Sequence, residues 1–522
     1  MTPRALRSLA APLLLLALGA TAPPPQADLL IRGGTVVSGS DAPFTGDVAI
    51  RGDRILAVGP HLAVTAARII EARGMVIAPG FIDPHSHMGG ALTSADAARR
   101  LVPAFLLQGV TTTFIGNDGG GAPEVGAVLA SAEARPVGIN YAAYVGFGAV
   151  RERVIGRADR APTPTELEQE RALIAKGMCE GALGLSTGLF YAPQSFAETG
   201  EVIELAREAA RRGGVYDSHL RDESSYSIGL EASVAEALRI GREARLPVHI
   251  AHIKALGVDV QGQAPRIIDI IEMARAEGLA VTADQYPWTA SGTSLVAALM
   301  PRWAQDGGRA ALLARIGDPA LAQRLRADVA ENLRKRGGAG ALLVVEGADA
   351  GRTLAQIAGR GDAVSAALAA IRRADAATAS FNQSEADIAA FMRRPWVMTG
   401  SDASTGHPRV FGSFARKYGE YVRRRQLLTL RQFVERSSSL AADTFRLEGR
   451  GRLRAGNFAD VVVFDPARYA ARATYRQPEL PAAGVRLVVV NGVVAVEGGQ
   501  LTGAAAGRAL RHAPTPGTCA AQ

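Results

Sequence analysis

At 522 residues the chain exceeds one ordinary domain, and 48% hydrophobic with 21% charged residues describes a globular protein rather than a disordered or fibrous one. The formal net charge of +8 is spread along the chain without a dense basic block, which excludes nucleic acid as a partner and leaves a mild positive field suited to a carboxylate-bearing small molecule. Cys179 and Cys519 lie far apart and neither has a Cys-x-x-Cys partner, so neither a disulfide framework nor a thiolate zinc cluster is expected.

The chain opens with Arg4 and Arg7, then an apolar run from Leu9 to Leu18, then the small residues Gly19 to Ala22. That order is the signature of a secretory signal peptide over residues 1–22, and the apolar run is short for a membrane span. It predicts export to the periplasm or beyond, with no other membrane partner. Pro23-Pro24-Pro25 reads as a short stiff linker.

Residues 28–78 alternate apolar runs with Gly and Asp turns, the pattern of a small β unit. From residue 79 to 446 short apolar segments alternate with Ala-rich helical stretches. Eight strand candidates, from "APGFIDPHSH" to "PWVMTGSD", favour a closed barrel of repeated βα units. The interval of about 296–391 is long for one βα connection and reads as an inserted subdomain, a candidate lid. The β pattern returns over 447–503, which predicts that the first and last β segments pair into one small sandwich. The Ala-, Pro- and Gly-rich stretch 504–522 reads as a flexible tail. The expected fold is therefore α/β, a (β/α)8 TIM barrel with a small β-sandwich formed by N- and C-terminal segments and an inserted subdomain.

His85 and His87 stand two apart at the end of an apolar strand, so period-two geometry turns both rings to one face. His219, His252 and Asp402 end three further strand candidates. His249 lies an odd step from His252 and should face away. Four histidines and an aspartate at the C-terminal ends of barrel strands form a candidate metal site, since that rim is where such barrels carry their chemistry. Zinc would acidify a bound water and polarise a carbonyl. Asp402 is suited to take the water's proton and pass it to a leaving amine.

"GFIDPHSH" resembles the first-strand signature of the amidohydrolase superfamily, and "GRLRAGNFADVVVFDP" resembles that superfamily's C-terminal β signature. Between them "GALGLSTGLFYAP", "YDSHLRDE", "AHIKALG", "DQYPWTAS" and "GSDASTGHPRVFGSF" resemble the N-acyl-D-amino-acid deacylase (D-aminoacylase) group. The resemblance implies that His85, His87 and Asp402 bound a first metal position and that His219 and His252 hold a second. It implies that Asp402 is the general acid/base, that Lys254, Tyr286 and Arg409 grip a substrate α-carboxylate, and that Tyr191 helps polarise the scissile carbonyl. The implied reaction is zinc-dependent hydrolysis of a linear amide to a carboxylate and a D-amino acid. The group carries a cysteine ligand after its second strand; here Asp118 stands in that place. A carboxylate is a harder ligand, so Asp118 is a candidate metal contact, and one or two Zn2+, or Mn2+ or Co2+, would suit the site. Glu180 and Lys176 do not fall where a bridging carboxylate or carbamylated lysine is needed. Two other readings stay open from sequence: an exported dipeptidase or cyclic-amide hydrolase with the same metal core, and a catalytically silent ligand-binding barrel.

Overall fold

The structure is a computed structural model that describes residues 25–519, so the expected signal peptide lies outside the described residues. No helix among the described residues is long and apolar enough to cross a membrane.

Two β segments distant in sequence build one lobe. Gln26–Val36, Phe44–Arg51, Arg54–Gly59, Thr65–Glu71 and Val76–Pro79 join Val461–Phe464, Val485–Val490, Val493–Glu497 and Gln500–Leu501 in a single nine-stranded sheet. Val461–Phe464 forms the seam, running antiparallel to Val76–Pro79 with Val463 opposite Ile77. Alternation does the rest. Val461 and Val463 enter the lobe core with Leu29, Ile31 and Ile77, while Val462 and Phe464 pack with Val76 and Ala78 into the core shared with the barrel. The sandwich expected from sequence is thus one continuous sheet that rests on the barrel.

Eight parallel strands follow: β1 (Phe81–Asp83), β2 (Val110–Ile115), β3 (Asn140–Ala143, continued by Val145–Gly146), β4 (Gly184–Gly188), β5 (Val215–His219), β6 (Val248–Ile250), β7 (Val281–Gln285) and β8 (Val397–Thr399). Each pairs in parallel with the next. A parallel bridge between Ser86 and Ala403, just beyond β1 and β8, closes the ring. All residues of β2, β4, β5 and β6 are buried, as expected of strands covered by helices outside and by side chains within.

Between β7 and β8 the chain leaves the barrel. Ala290–Ser294, Leu342–Val344 and Ala377–Phe381 form an antiparallel sheet that helices cover with their own core of Leu299, Leu312, Leu325, Val329 and Ile371. This inserted unit starts at Ala290, ahead of the expected 296. Its first strand, ASGTS, carries small polar residues that read as a loop.

Two expectations are corrected at the C-terminus. Cys179 and Cys519 form a disulfide across a separation of 340 positions. The tail as far as residue 519 is not loose: Tyr141 donates its backbone N–H to Arg508, Leu510 to Tyr141 and His512 to Gly181. The tail's low-complexity composition hid this, because its partners are backbone groups on β3 and on the turn before β4, and such pairing needs no particular side chain.

Candidate metal centre

The ends of β1 and β8 are laced together. Asp402 N–H donates to His85 O at 2.9 Å, and His87 N–H to Ala403 O at 3.0 Å. Ser86, one step out of phase, faces the wall and donates to Phe114 O at 2.9 Å. His85 and His87 therefore share the inner face, next to Asp402: its Oδ1 lies 3.2 Å from His87 Nε2 and 3.8 Å from His85 Nε2.

Asp118 completes the ring from the loop after β2. Its Oδ1 lies 3.4 Å from His85 Nε2 and 3.6 Å from His252 Nε2; its Oδ2 lies 3.5 Å from His87 Nε2 and 3.6 Å from His219 Nδ1. One carboxylate thus faces all four histidines. The loop is built tightly to put it there. Asp118 has φ 55°, its carbonyl accepts from Gln194 Nε2 at 2.9 Å, and Gly119 N–H donates to Ser186 Oγ at 2.8 Å. A Cβ at Gly119, itself at φ 74°, would fall 2.1 Å from Gln194 Oε1. His252 (φ 34°) and Asp402 (φ 48°) are also left-handed. Such backbone costs about 1 kcal/mol or more per residue, and its clustering on three facing side chains points to function.

The donor set fits a divalent cation. His85, Asp118, His252 and Asp402 each bring a ligand atom within 4.8 Å of the others, and His219, Glu223 and His252 form a second such group. His219 Nδ1 and His252 Nε2 lie 2.9 Å apart. Both ring nitrogens of His85 and Oδ1 of Asp118 are buried without a hydrogen-bond partner. Converging unpartnered nitrogen and oxygen donors are what a zinc-type ion satisfies, with manganese and cobalt as neighbours in preference. Burial alone would raise the Asp118 carboxyl, but the charges of His85 and His219 and hydrogen bonds with His219 and His252 override it and hold it well below the usual range. Burial likewise opposes ionisation of Asp402, and the Arg409 guanidinium overrides it first, ahead of His252 and His87.

His249 points away as expected, held by Thr282 at 2.9 Å and Asp284 at 3.0 Å. Lys176 and Glu180 form an outer pair at 3.8 Å on the far end of the helix Pro164–Cys179.

The substrate-side residues line one cavity of about 410 Å³ above the histidines, within the range of ligand sites. Lys254 Nζ and the Arg409 guanidinium flank the Tyr286 ring at 5.7 and 5.1 Å. Each is already engaged. Lys254 donates to Glu223 at 2.5 Å, and Arg409 donates to Asp402 Oδ2 and Ser404 Oγ, each at 2.7 Å. Tyr286 Oη accepts from Gln383 at 2.8 Å. Tyr191 lies with its ring 4.8 Å from that of His219; burial raises its phenol pKa, so the hydroxyl remains a donor. Sequence reasoning missed Glu223, whose Oε1 lies 3.1 Å from His252 Nδ1 on the side away from Asp118. It also missed His407, which bonds Ala290 O at 3.1 Å and takes the Arg409 N–H at 3.1 Å, tying the inserted unit to the loop after β8. The four-residue step from His219 to Glu223, inside the family-like "YDSHLRDE", was the available signal for the first.

The profile of the amidohydrolase family matches residues 68–496. A D-aminoacylase of Alcaligenes xylosoxydans xylosoxydans is 34% identical over 515 residues, covering 92% of this chain and 97% of the relative. A solved D-aminoacylase structure, described by its binuclear metal centre, superposes with TM-score 0.80 at 32% identity, covering 93% of this chain and 100% of the other. The N-acyl-D-glutamate deacylase of Bordetella bronchiseptica, solved with zinc and a phosphonate mimic of the reaction's tetrahedral intermediate, gives TM-score 0.78 at 30% identity with the same coverage.

Proposed function

The chain belongs to the amidohydrolase family, and on that premise we propose that it hydrolyses a linear amide, an N-acyl-D-amino acid, to a carboxylate and a D-amino acid. The observation that carries this reading is the two-sided Asp402. One oxygen faces the histidines and the other is held by Arg409, at the floor of a cavity of about 410 Å³. His85, His87, Asp118, His219, His252 and Asp402 would hold one or two zinc ions. When bound, the metal polarises the scissile carbonyl and makes water a stronger acid.

The protein's own residues do the remainder. Asp402, kept ionised by Arg409, accepts the proton of the attacking water through Oδ1 and returns it to the departing nitrogen. Tyr191 donates a hydrogen bond toward the carbonyl oxygen as charge builds there. Tyr286, with the flanking Lys254 and Arg409, forms the seat for the α-carboxylate. The inserted unit roofs the cavity through Gly292, Thr293 and Thr378 and limits water there. The D preference rests on the relatives named above. Turnover of matched N-acyl-D-amino acids, N-acyl-L-amino acids and dipeptides tests it: release of the D-amino acid alone is expected, and preferential dipeptide cleavage would replace this reading with an exported dipeptidase.

The chain's place of action is proposed to be outside the cytoplasm. The charged, apolar, small-residue order of residues 1–22 supports this, and so does the Cys179–Cys519 disulfide, since such bonds persist in oxidising compartments. N-terminal sequencing of the protein recovered from a periplasmic extract tests it. A mature start near residue 20 to 23 is expected, and an uncleaved Met1 in the cytosolic fraction would refute it.

A further inference from the structure

Several buried cations among the described residues are matched. Arg151 holds Glu201, Arg221 holds Glu236 and Arg450 holds Asp460; in the cavity Lys254 holds Glu223 and Arg409 holds Asp402. Arg100 and Arg436 lack acids but are spent on main-chain carbonyls. Lys417 lacks any partner too, but it lies off the cavity and burial holds its amine well below the usual lysine range. Arg336 and Arg302 differ. Among the described residues no carboxylate lies within 4.0 Å of either guanidinium. Arg336 follows the helix Ala322–Lys335 of the inserted unit, is 2% exposed and lines the cavity. Its contacts are neutral: Nε to Ala298 O and Nη1 to Ser380 Oγ, each at 3.2 Å. Arg302 is half-buried just behind the cavity wall, 3.9 Å over the ring of Phe190, which lines it.

Tyr226 joins the two. The Arg336 guanidinium stands 5.6 Å from its ring, and the Phe190 ring 5.5 Å. Its hydroxyl is buried without a hydrogen-bond partner, and it too lines the cavity. Asp222, the acid whose field reaches Arg302, is consumed by the N–H groups of Ser224, Ser227 and Gly229 at 2.9, 2.5 and 3.1 Å. Glu346 also lines the cavity but is exposed and pairs with neither guanidinium. Phe190 stacks 5.8 Å from the His219 ring, so this wall adjoins the candidate metal centre. Burial lowers Arg302 only to about 10, which leaves it charged at neutral pH.

We propose that Arg336, Arg302 and Tyr226 form an anion subsite, and that the enzyme selects amide substrates carrying a second carboxylate besides the α-carboxylate. The inference rests on the deacylase reading of the site. A guanidinium out of water and without an acid is costly, and a carboxylate from the substrate supplies the missing partner in a bidentate geometry. The unpartnered phenol adds a third donor. The second carboxylate has two possible sources: the side chain of an acidic D-amino acid, or the far end of a diacid acyl group.

The experiment compares kcat/KM for N-acetyl-D-glutamate against N-acetyl-D-glutamine, and for N-succinyl-D-leucine against N-butyryl-D-leucine, in the unaltered zinc-loaded protein. A preference of about tenfold to a hundredfold for the charged member is expected in one pair, and the pair that shows it identifies the source. Arg336→Met, and independently the less buried Arg302→Met, should bring that ratio toward one. Ratios near one in both pairs of the unaltered protein would overturn the subsite while leaving the deacylase reading standing. Failure to turn over all four would overturn both.

Discussion

Asp118 Oδ1 lies 3.4 Å from His85 Nε2, with Oδ2 of the same carboxylate 3.5 Å from His87 Nε2. A carboxylate therefore stands at the centre of the histidine ring in the place where the resemblance leads one to expect a thiolate. If Asp118 is a ligand, Asp118→Ala should weaken zinc binding at least about tenfold, and Asp118→Cys should restore it, because a thiolate is a good zinc donor. Zinc competition with a chromogenic chelator measures this; unchanged affinity in Asp118→Ala would reduce Asp118 to a turn residue.

Asp402→Asn should retain bound metal, since the histidines and Asp118 remain, and should lose about a hundredfold to ten-thousandfold in kcat, the span of general acid–base catalysis. Metal analysis alongside steady-state kinetics separates the two effects. Near-normal turnover would remove Asp402 from the proton path.

Glu223 meets His252 at Nδ1, opposite the nitrogen that faces Asp118. Lys254 Nζ stands 2.7 Å from the same Nδ1 and donates to Glu223, so the carboxylate and the ammonium together hold the ring. Glu223→Gln should cut zinc affinity about tenfold to a hundredfold, and Glu223→Asp should recover part of it. Zinc affinity measured on folded protein is the readout, and an unaltered value would limit Glu223 to neutralising Lys254.

Glu170 on the helix Pro164–Cys179 is fully buried and neither carboxylate oxygen has a partner. Burial, with a smaller push from Glu201, raises its carboxyl to about 8. The folded protein then keeps a proton that the unfolded chain loses near about 4.3, so this group's stability is whole below that value, declines across the window and is lost above about 8. Glu170→Gln should flatten the pH dependence of urea unfolding between about pH 5 and about pH 8. It should raise stability at the upper end of that window. A slope equal to that of the unaltered protein would contradict this.

The Cys179–Cys519 bond closes a loop of 340 positions and anchors the tail. Reductant, or Cys519→Ala, should lower stability by about 2–4 kcal/mol, and reductant should have no further effect on the variant. Thermal unfolding with and without dithiothreitol checks it; identical curves would show that the tail holds by its backbone contacts alone.

What could be read from the sequence followed local periodicity. Four of the eight strand candidates carry His87, His219, His252 and Asp402 at their ends because apolar runs stop where side chains turn to the rim, and the two-step from His85 to His87 already fixed a shared face. What could not be read depends on partners distant along the chain. Nothing near Cys179 announces Cys519, and a backbone-paired tail needs no patterned side chains. Arg409 reads as a free carboxylate grip until its contact with Asp402 is seen, because an ion pair seven residues apart across a loop has no periodic signature. The inserted unit was visible by length, whereas its small polar first strand was not.

Metal dependence of the deacylation is measured as amino-acid release from N-acetyl-D- and N-acetyl-L-amino acids by the chelator-stripped protein, before and after zinc is returned. Negligible release by the stripped protein and recovery with zinc on the D-enantiomer only are expected. Full activity without metal, or no release from any substrate after zinc is restored, would contradict metal-dependent deacylation.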